Sequence, residues 1–305
     1  MLRRHFEVKI VLARGDLQAS LSMAAGIAWC DVSFSWFAGR HAFQALKLSK
    51  LAGKRSIVVV GGYEVAEASE IQYDSLLTPE TAERTRYILN NADKVLAVSE
   101  FSKKEILSCS NPRDLELLYN GVDCNGFKAQ GEKEDLVITV GNSTRDSCRL
   151  KGIDTFVRAS MLLPRLRFAV IGKFDEDIRR DLEKISPSVE FIGPLPPDEL
   201  VSWMRKAKVY CQLSYRESFG MALAEAMCCE CVPVVTGNGA LPEVVGDTGF
   251  YVPYGDPTAT AKAEKEALKA EKGKAAHLRI KNRFSLERRE RRLATIIRGL
   301  VEDRN

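Results

Sequence analysis

KVYCQLSYRESFGMALAEAMCCECVPVV, residues 208–235, decides how this chain folds. KVYCQL, 208–213, is a short apolar run of the kind that forms strands. The loop SYRES follows, and from about Gly220 apolar positions go all the way round a 3.6-residue period, which describes a buried helix. CVPVV then reads as a second strand. Two acids stand in this unit, Glu217 in the loop and Glu225 inside the helix, with seven residues between them. A glutamate is seldom fully buried without a partner. Either Glu225 is tied to a neighbouring basic group or backbone amide, or its carboxylate faces a cavity where something polar is held.

The same alternation runs along the chain. CDVSFS, SIVVV, KVLAV, LVITV, RFAVI and VEFI are short β-prone runs separated by helical patterns, which implies βαβ units and parallel sheets. Helix starts are marked at Thr78-Pro79, at Pro197-Asp198-Glu199 and at Ser285. The polar stretch FKAQGEKEDL, 127–136, has no apolar period, and LVITVG restarts the alternation after it. At 305 residues two domains are expected. They are placed at 1–130 and 131–284, with a terminal helix over 285–305 that crosses back to brace the first. The predicted architecture is α/β, two doubly wound Rossmann-like domains facing across a cleft.

Open parallel sheets bind ligands beyond the carboxyl ends of their strands. Glu217 lies at such an end, and the helix after it points free amides at the same place, which is an anion site. From Glu217 to Glu225 a helical path rises about 12 Å, a span that a nucleotide joined through a diphosphate to a second polar group can bridge. A second loop, VGNSTRDSCRLKG at 140–152, carries Arg145, Arg149 and Lys151 ahead of another helix. Basic side chains there suit a diphosphate without a metal. The loop is neither a GxxxxGK[ST] phosphate loop nor a GxGxxG fingerprint, which argues against triphosphate hydrolysis and dinucleotide binding.

ESFGMALAEA resembles the EX7E signature of the retaining, GT-B-fold glycosyltransferases of family GT4. NADKVLAVSEFSKKEIL, LLYNGVD, VGNSTRDSCRLKGIDTFVRAS, FAVIGKF, FIGPLPPDEL and GALPEVVGDTGFYVPYGD are similar to that family in the same order. The resemblance implies transfer of a hexose from a GDP- or UDP-linked donor to a hydroxyl acceptor, with retention explained by same-face attack and no metal needed. It implies that Glu217 contacts donor-sugar hydroxyls, and that the backbone of Phe219, Gly220, Met221 and Ala222 meets sugar and phosphate. Glu225 would then bind the ribose diol. Lys151, with Arg145 or Arg149, would neutralise the departing diphosphate beside Gly141. Asn142 stands where many relatives carry that basic partner, so the choice of arginine stays open. GGYEVA, 61–66, stands where many relatives carry a histidine, and no glycine-rich loop opens the chain, so a shortened first domain is expected. A nucleotide-sugar-binding or partner subunit with little transfer of its own is the alternative.

The remaining features exclude more than they assign. No apolar run is long enough to cross a bilayer, and MLRRHFEVKIVLARGD lacks the pattern of a signal peptide. Eight scattered cysteines suit reduced thiols, so the expected placement is cytoplasmic. Residues 257–305 carry 14 Lys and Arg against 7 Asp and Glu. The first reading of that excess is a solvated helical face, and the second a peripheral contact with an anionic inner membrane surface. Without interleaved aromatics or a binding motif it does not indicate nucleic acid. The paired acids read poorly as a glycosidase pair, which faces across a single bond. Cys228, Cys229 and Cys231 read as buried thiols rather than zinc ligands. His5, His41 and His277 leave little for a histidine-rich metal site.

Overall fold

The computed structural model describes residues 1–12, 16–68, 73, 74, 76 and 78–302, apart from the side chains of 67, 68, 73, 74, 145 and 146. The chain divides into two compact units, one of residues 1–69, 74–121 and 287–305 and the other chiefly of residues 122–286.

The first unit alternates α1 (Leu17–Trp29), β1 (Val32–Trp36), α2 (Arg40–Leu51), β2 (Arg55–Val60), α3 (Pro79–Asn91), β3 (Lys94–Ala97), α4 (Glu100–Cys109) and β4 (Leu115–Leu117). The strands are parallel in the order β1-β2-β3-β4, which never reverses among the described residues. Val58, Val60 and Val95 pack with Leu46, Ile88, Leu89 and Ile106 in one core. Ile57, Val59 and Leu96, on the alternate positions, are equally buried, so β2 and β3 are covered on both faces and read as continuous apolar runs. Helix α3 starts where its sequence signals it, with Thr78 Oγ1 accepting from the Thr81 amide and Pro79 in the first turn.

The second unit contains β5 (Glu134–Val140), α5 (Arg145–Lys151), α6 (Ile153–Ser160), β6 (Arg167–Ile171), α7 (Glu176–Ile185), β7 (Val189–Ile192), α8 (Pro197–Lys206) and β8 (Ala207–Gln212). It continues through α9 (Met221–Cys228), β9 (Val232–Thr236), α10 (Leu241–Val245), β10 (Phe250–Val252), α11 (Pro257–Ala267) and α12 (Gly273–Arg283). Its six strands lie parallel in the order β10-β9-β8-β5-β6-β7. The chain therefore builds outward from β5 on one side, then returns to build outward from β8 on the other. That reversal makes the sheet doubly wound. No helix of the described residues is long and apolar enough to cross a membrane.

Helix α13 (Leu286–Glu302) closes the chain and, from Glu287 on, belongs to the first unit. Leu293, Ile296, Ile297 and Leu300 are buried, as their spacing predicts. Two charged residues are buried with them. Glu290 meets His5 at 3.0 Å and Arg4 at 3.5 Å. Arg289 donates to the carbonyls of Leu118 at 2.8 Å and Tyr119 at 2.5 Å, just beyond β4, and its guanidinium lies 5.1 Å from the centre of the Trp36 ring. Burial holds the Arg289 pKa down, to about 10. Arg289→Met removes both of these hydrogen bonds and is expected to lower stability by about 1–3 kcal/mol in urea unfolding. Arg291→Met, at an exposed position of the same helix, should stay within about 0.5 kcal/mol.

Candidate functional site

The reversal falls between β5 and β8, which are neighbours in the sheet. After β5 the chain leaves in one direction and after β8 in the other, so the two loops at their carboxyl ends diverge, and it is at such a switch point that open parallel sheets bind their ligands. Lys151 and Glu217 meet there.

Lys151 is the last residue of α5, a helix started by a reciprocal cap in which the Thr144 and Ser147 side chains each accept from the other's amide. Its stem runs past Gly141, where a β-carbon would lie 3.6 Å from Lys151 Cγ. Its Nζ donates to Glu217 Oε2 at 2.7 Å, and neither side chain is fully exposed, at 28% and 15%. Burial acts to raise the Glu217 pKa, but the Lys151 ammonium and the amides of Phe219 and Ser218 outweigh it and hold it below the usual carboxylate value. Glu217 is thus ionised.

The backbone of Glu217 is fixed as well. Its carbonyl accepts from the Ala240 amide at 2.8 Å. Gly239 sits against it at φ 60°, where a β-carbon would come within 2.3 Å of the Glu217 oxygen. Beneath the loop runs a buried polar chain, from Tyr210 Oη to Gln212 Oε1 at 3.2 Å and from Gln212 Nε2 to Ser214 Oγ at 2.7 Å. Thr236 Oγ1 donates to the Ser214 carbonyl at 2.6 Å, which joins the end of β9 to the same loop.

Helix α9 begins at Gly220, whose φ of 88° suits a residue without a side chain and which offers no side-chain cap. The first-turn amides of Met221 and Ala222 are therefore uncapped. Glu225 lies one turn further along α9, half-buried, and among the described residues nothing hydrogen-bonds its carboxylate. Burial alone pushes its pKa up, to about 7. Of the two alternatives for this acid, the tie to a basic group or amide is absent among the described residues.

The other predicted positions divide. Phe219 is buried and stacks edge-on to Phe284, with ring centres 5.6 Å apart, so what it offers the loop is backbone, and its amide is directed at Glu217. Arg149 is exposed, and no hydrogen bond or ion pair among the described residues joins its guanidinium to Lys151 or Glu217. The side chain of Arg145 lies outside the described residues. Asn142 accepts from the Lys173 amide at 3.2 Å. In GGYEVA of the first unit, Glu64 is buried and accepts from the amides of Ala38, Gly61 and Gly62. His41 bonds the Trp36 carbonyl at 2.8 Å.

Four further residues contribute to which the sequence reading gave no role. Gly239 and Ala240 hold Glu217 from a loop after β9; they open the stretch GALPEVVGDTGFYVPYGD, and the Asn-Gly pair at 238–239 is a turn signal, but neither pattern assigned them this contact. Tyr254 Oη donates to the Arg149 carbonyl at 2.7 Å and lies edge-on to Tyr215, so it braces α5 from 105 residues away. The buried hydroxyl of Ser143, two residues past Gly141, has no hydrogen-bond partner among the described residues. Among those residues no group of three or more His, Cys, Asp or Glu is gathered as for a metal ion.

Comparison with known proteins places this unit. Residues 134–270, from β5 past α11, match the profile of the family described as Glycosyl transferases group 1. A D-inositol 3-phosphate glycosyltransferase of Kribbella flavida is 29% identical over 199 residues, which is 54% of this chain and 46% of that protein. A D-inositol 3-phosphate glycosyltransferase of Corynebacterium jeikeium is 42% identical over a shorter span of 132 residues, 38% of this chain and 32% of that one. The chain spans about half the length of the curated relatives it matches.

Among solved structures, sucrose-phosphate synthase from Thermosynechococcus elongatus superposes with a TM-score of 0.80 at 19% identity, covering 96% of this chain and 81% of that one. Anabaena HepE in complex with UDP-glucose superposes with a TM-score of 0.80 at 16% identity, covering 98% and 88%. These likenesses establish the fold, GT-B, with its two parallel-sheet, Rossmann-like halves.

Gly239→Ala forces a β-carbon onto the Glu217 carbonyl and is expected to cost about 2–4 kcal/mol in urea unfolding. Gly255→Ala has a similar φ of 76° but open space around it. That control isolates the backbone strain, about 1–2 kcal/mol, and equal losses in the two variants would refute the close approach.

Proposed function

We propose that this chain is a retaining glycosyltransferase that moves a hexose from a UDP- or GDP-linked donor to a hydroxyl acceptor. The observation that carries this reading is the Lys151–Glu217 ion pair at the carboxyl end of a doubly wound sheet, beside the uncapped start of α9, the helix that carries the partnerless Glu225. Support comes from the family profile over 134–270, from relatives named as glycosyltransferases, and from a structural neighbour solved with UDP-glucose.

In this reading residues 131–284 bind the donor, residues 1–130 serve the acceptor, and residues 285–305 brace the acceptor side. Glu217, kept ionised by Lys151, accepts from hydroxyls of the donor sugar, and Glu225 accepts two hydrogen bonds from the ribose diol. The bond from the anomeric carbon to the diphosphate oxygen breaks as the acceptor oxygen attacks from the same face, and negative charge grows on the departing diphosphate. Lys151, an arginine at 145 or 149, and the amides of Met221 and Ala222 are aimed at that charge, so they favour the transition state over the ground state. These groups supply the positive field themselves, and no metal is assigned to the step. The reaction would take place in the cytoplasm, with a peripheral membrane contact through the basic end of the chain as its extension.

Lys151→Ala and Glu217→Ala are each expected to slow transfer by about 100- to 1,000-fold while circular dichroism stays unchanged. Turnover near the parent rate in either purified variant, with a panel of UDP- and GDP-linked hexoses, would remove the assignment. A parent protein that these donors protect against heat, yet that releases no nucleotide diphosphate from them, would leave a binding module instead.

The Glu225 carboxyl gives a pH test with a definite sign. With its pKa raised to about 7, the free protein holds a proton there below neutrality, and a diol that donates two hydrogen bonds favours the ionised form. Donor binding must then release a proton. Affinity should fall about tenfold from pH 8 to pH 6, with a matching change in the buffer dependence of the titration heat. Glu225→Gln should flatten that dependence, and an unaltered slope in the variant would show that another group titrates.

A further inference from the structure

Four thiols collect where the chain enters the second unit and where α9 ends: Cys124, Cys228, Cys229 and Cys231, all buried. We propose that Cys124 and Cys228 form a disulfide that ties the entering segment to the end of α9, and that no other pair among the eight cysteines does so. The proposal stands independently of the transferase reading, and it replaces for Cys124 and Cys228 the reduced state from which a cytoplasmic placement is expected.

The sulfurs of Cys124 and Cys228 lie 2.6 Å apart although 104 residues separate them in the chain. Atoms in ordinary packing contact settle at about 3.5–4.0 Å, whereas a disulfide bond is about 2.05 Å long. The two side chains thus converge on each other. Their neighbours are turned elsewhere. Cys229 Sγ donates to the Phe127 carbonyl at 3.2 Å, and Cys231 Sγ lies against the carbonyls of Met204 at 3.1 Å and Ala207 at 3.2 Å. Cys211 Sγ bonds Glu264 Oε1 at 3.2 Å, and Cys30 and Cys109 bond carbonyls of their own helices.

The same surroundings set the kinetics. The hydrogen bond to Cys124, and after it burial, push the Cys228 thiol pKa up, so little thiolate exists while the fold is closed. Exchange therefore waits on local opening. Once formed, the bond is shielded from reductant by that same burial.

With glutathione disulfide as oxidant, one cysteine thiolate attacks a glutathione sulfur and expels glutathione thiolate, leaving a mixed disulfide. The second cysteine thiolate then attacks the protein sulfur and expels the other glutathione. The two cysteine protons end on the two glutathione thiols, the protein loses two electrons, and one glutathione disulfide is reduced. Cys228 stands three residues past Glu225 on α9, so the link fastens the far end of the helix that carries this acid.

The test uses the full chain, reduced, then equilibrated in glutathione buffers from reducing to oxidising, quenched in acid, denatured and alkylated. At the oxidising end the mass should show six alkyl groups rather than eight, with a single linked peptide joining 124 to 228. The melting temperature should rise by roughly 5–10 °C, as expected for closing a loop of about 100 residues. Cys124→Ser should take up seven alkyl groups in every buffer and lose the thermal shift. The peptide map of the parent protein decides the matter even if that variant folds poorly. Eight alkyl groups in the most oxidising buffer, or a link between any other two cysteines, would overturn the proposal.

Discussion

Everything at the candidate site rests on the pairing of β5 with β8. These strands are separated by more than sixty residues of chain, yet they lie side by side and parallel, so their carboxyl ends reach the same edge of the sheet. Any group displayed just beyond one strand is then close to any group displayed just beyond the other. Lys151 and Glu217 use that proximity. Their ion pair is partly withdrawn from water, a placement that costs desolvation and holds only where further hydrogen bonds complete the carboxylate. The amides of Ser218 and Phe219 supply them. Gly239 and Ala240 then hold the Glu217 backbone from a third loop, after β9.

Two glutamates of one strand–loop–helix element are treated in opposite ways by this arrangement. Glu217 has a cation and amides within reach and is held ionised, whereas Glu225 has burial and nothing to offset it, and so sits near the midpoint of its titration at neutral pH. Environments that push like groups apart in pKa are characteristic of sites that assign them different tasks. The difference does not come from the residues, which are chemically identical. It comes from which loops the fold brings against each one.

Much of the fold was legible because it is written locally. Eight β-prone runs, CDVSFS, SIVVV, KVLAV, LVITV, RFAVI, VEFI, KVYCQL and CVPVV, all contain strands. The buried central ones were plainest, since parallel strands covered on both faces have no polar alternation to confuse them. Helix starts at Thr78-Pro79, Pro197 and Ser285 were legible because caps and first-turn prolines act between near neighbours. Two of the strands that escaped notice, Leu115–Leu117 and Phe250–Val252, are three-residue edges of their sheets, and the other two, Glu67–Ala68 and Tyr73–Asp74, are a two-residue pair. So short a run shows no period, and what makes it a strand is the partner beside it.

At the site, the sequence by itself determined that two acids stand eight positions apart across a strand end and a helix start, and that a basic loop opens the same half of the chain. It also determined the alternation that makes parallel sheets, because burial and backbone preference act over a few residues at a time. The tertiary structure alone decided that Lys151 reaches Glu217, that Glu225 has no partner, that the Phe219 ring belongs to the core, and that the Cys124 sulfur finds Cys228. Each of these depends on strand order and on loops returning from distant parts of the chain, and no local pattern carries that information.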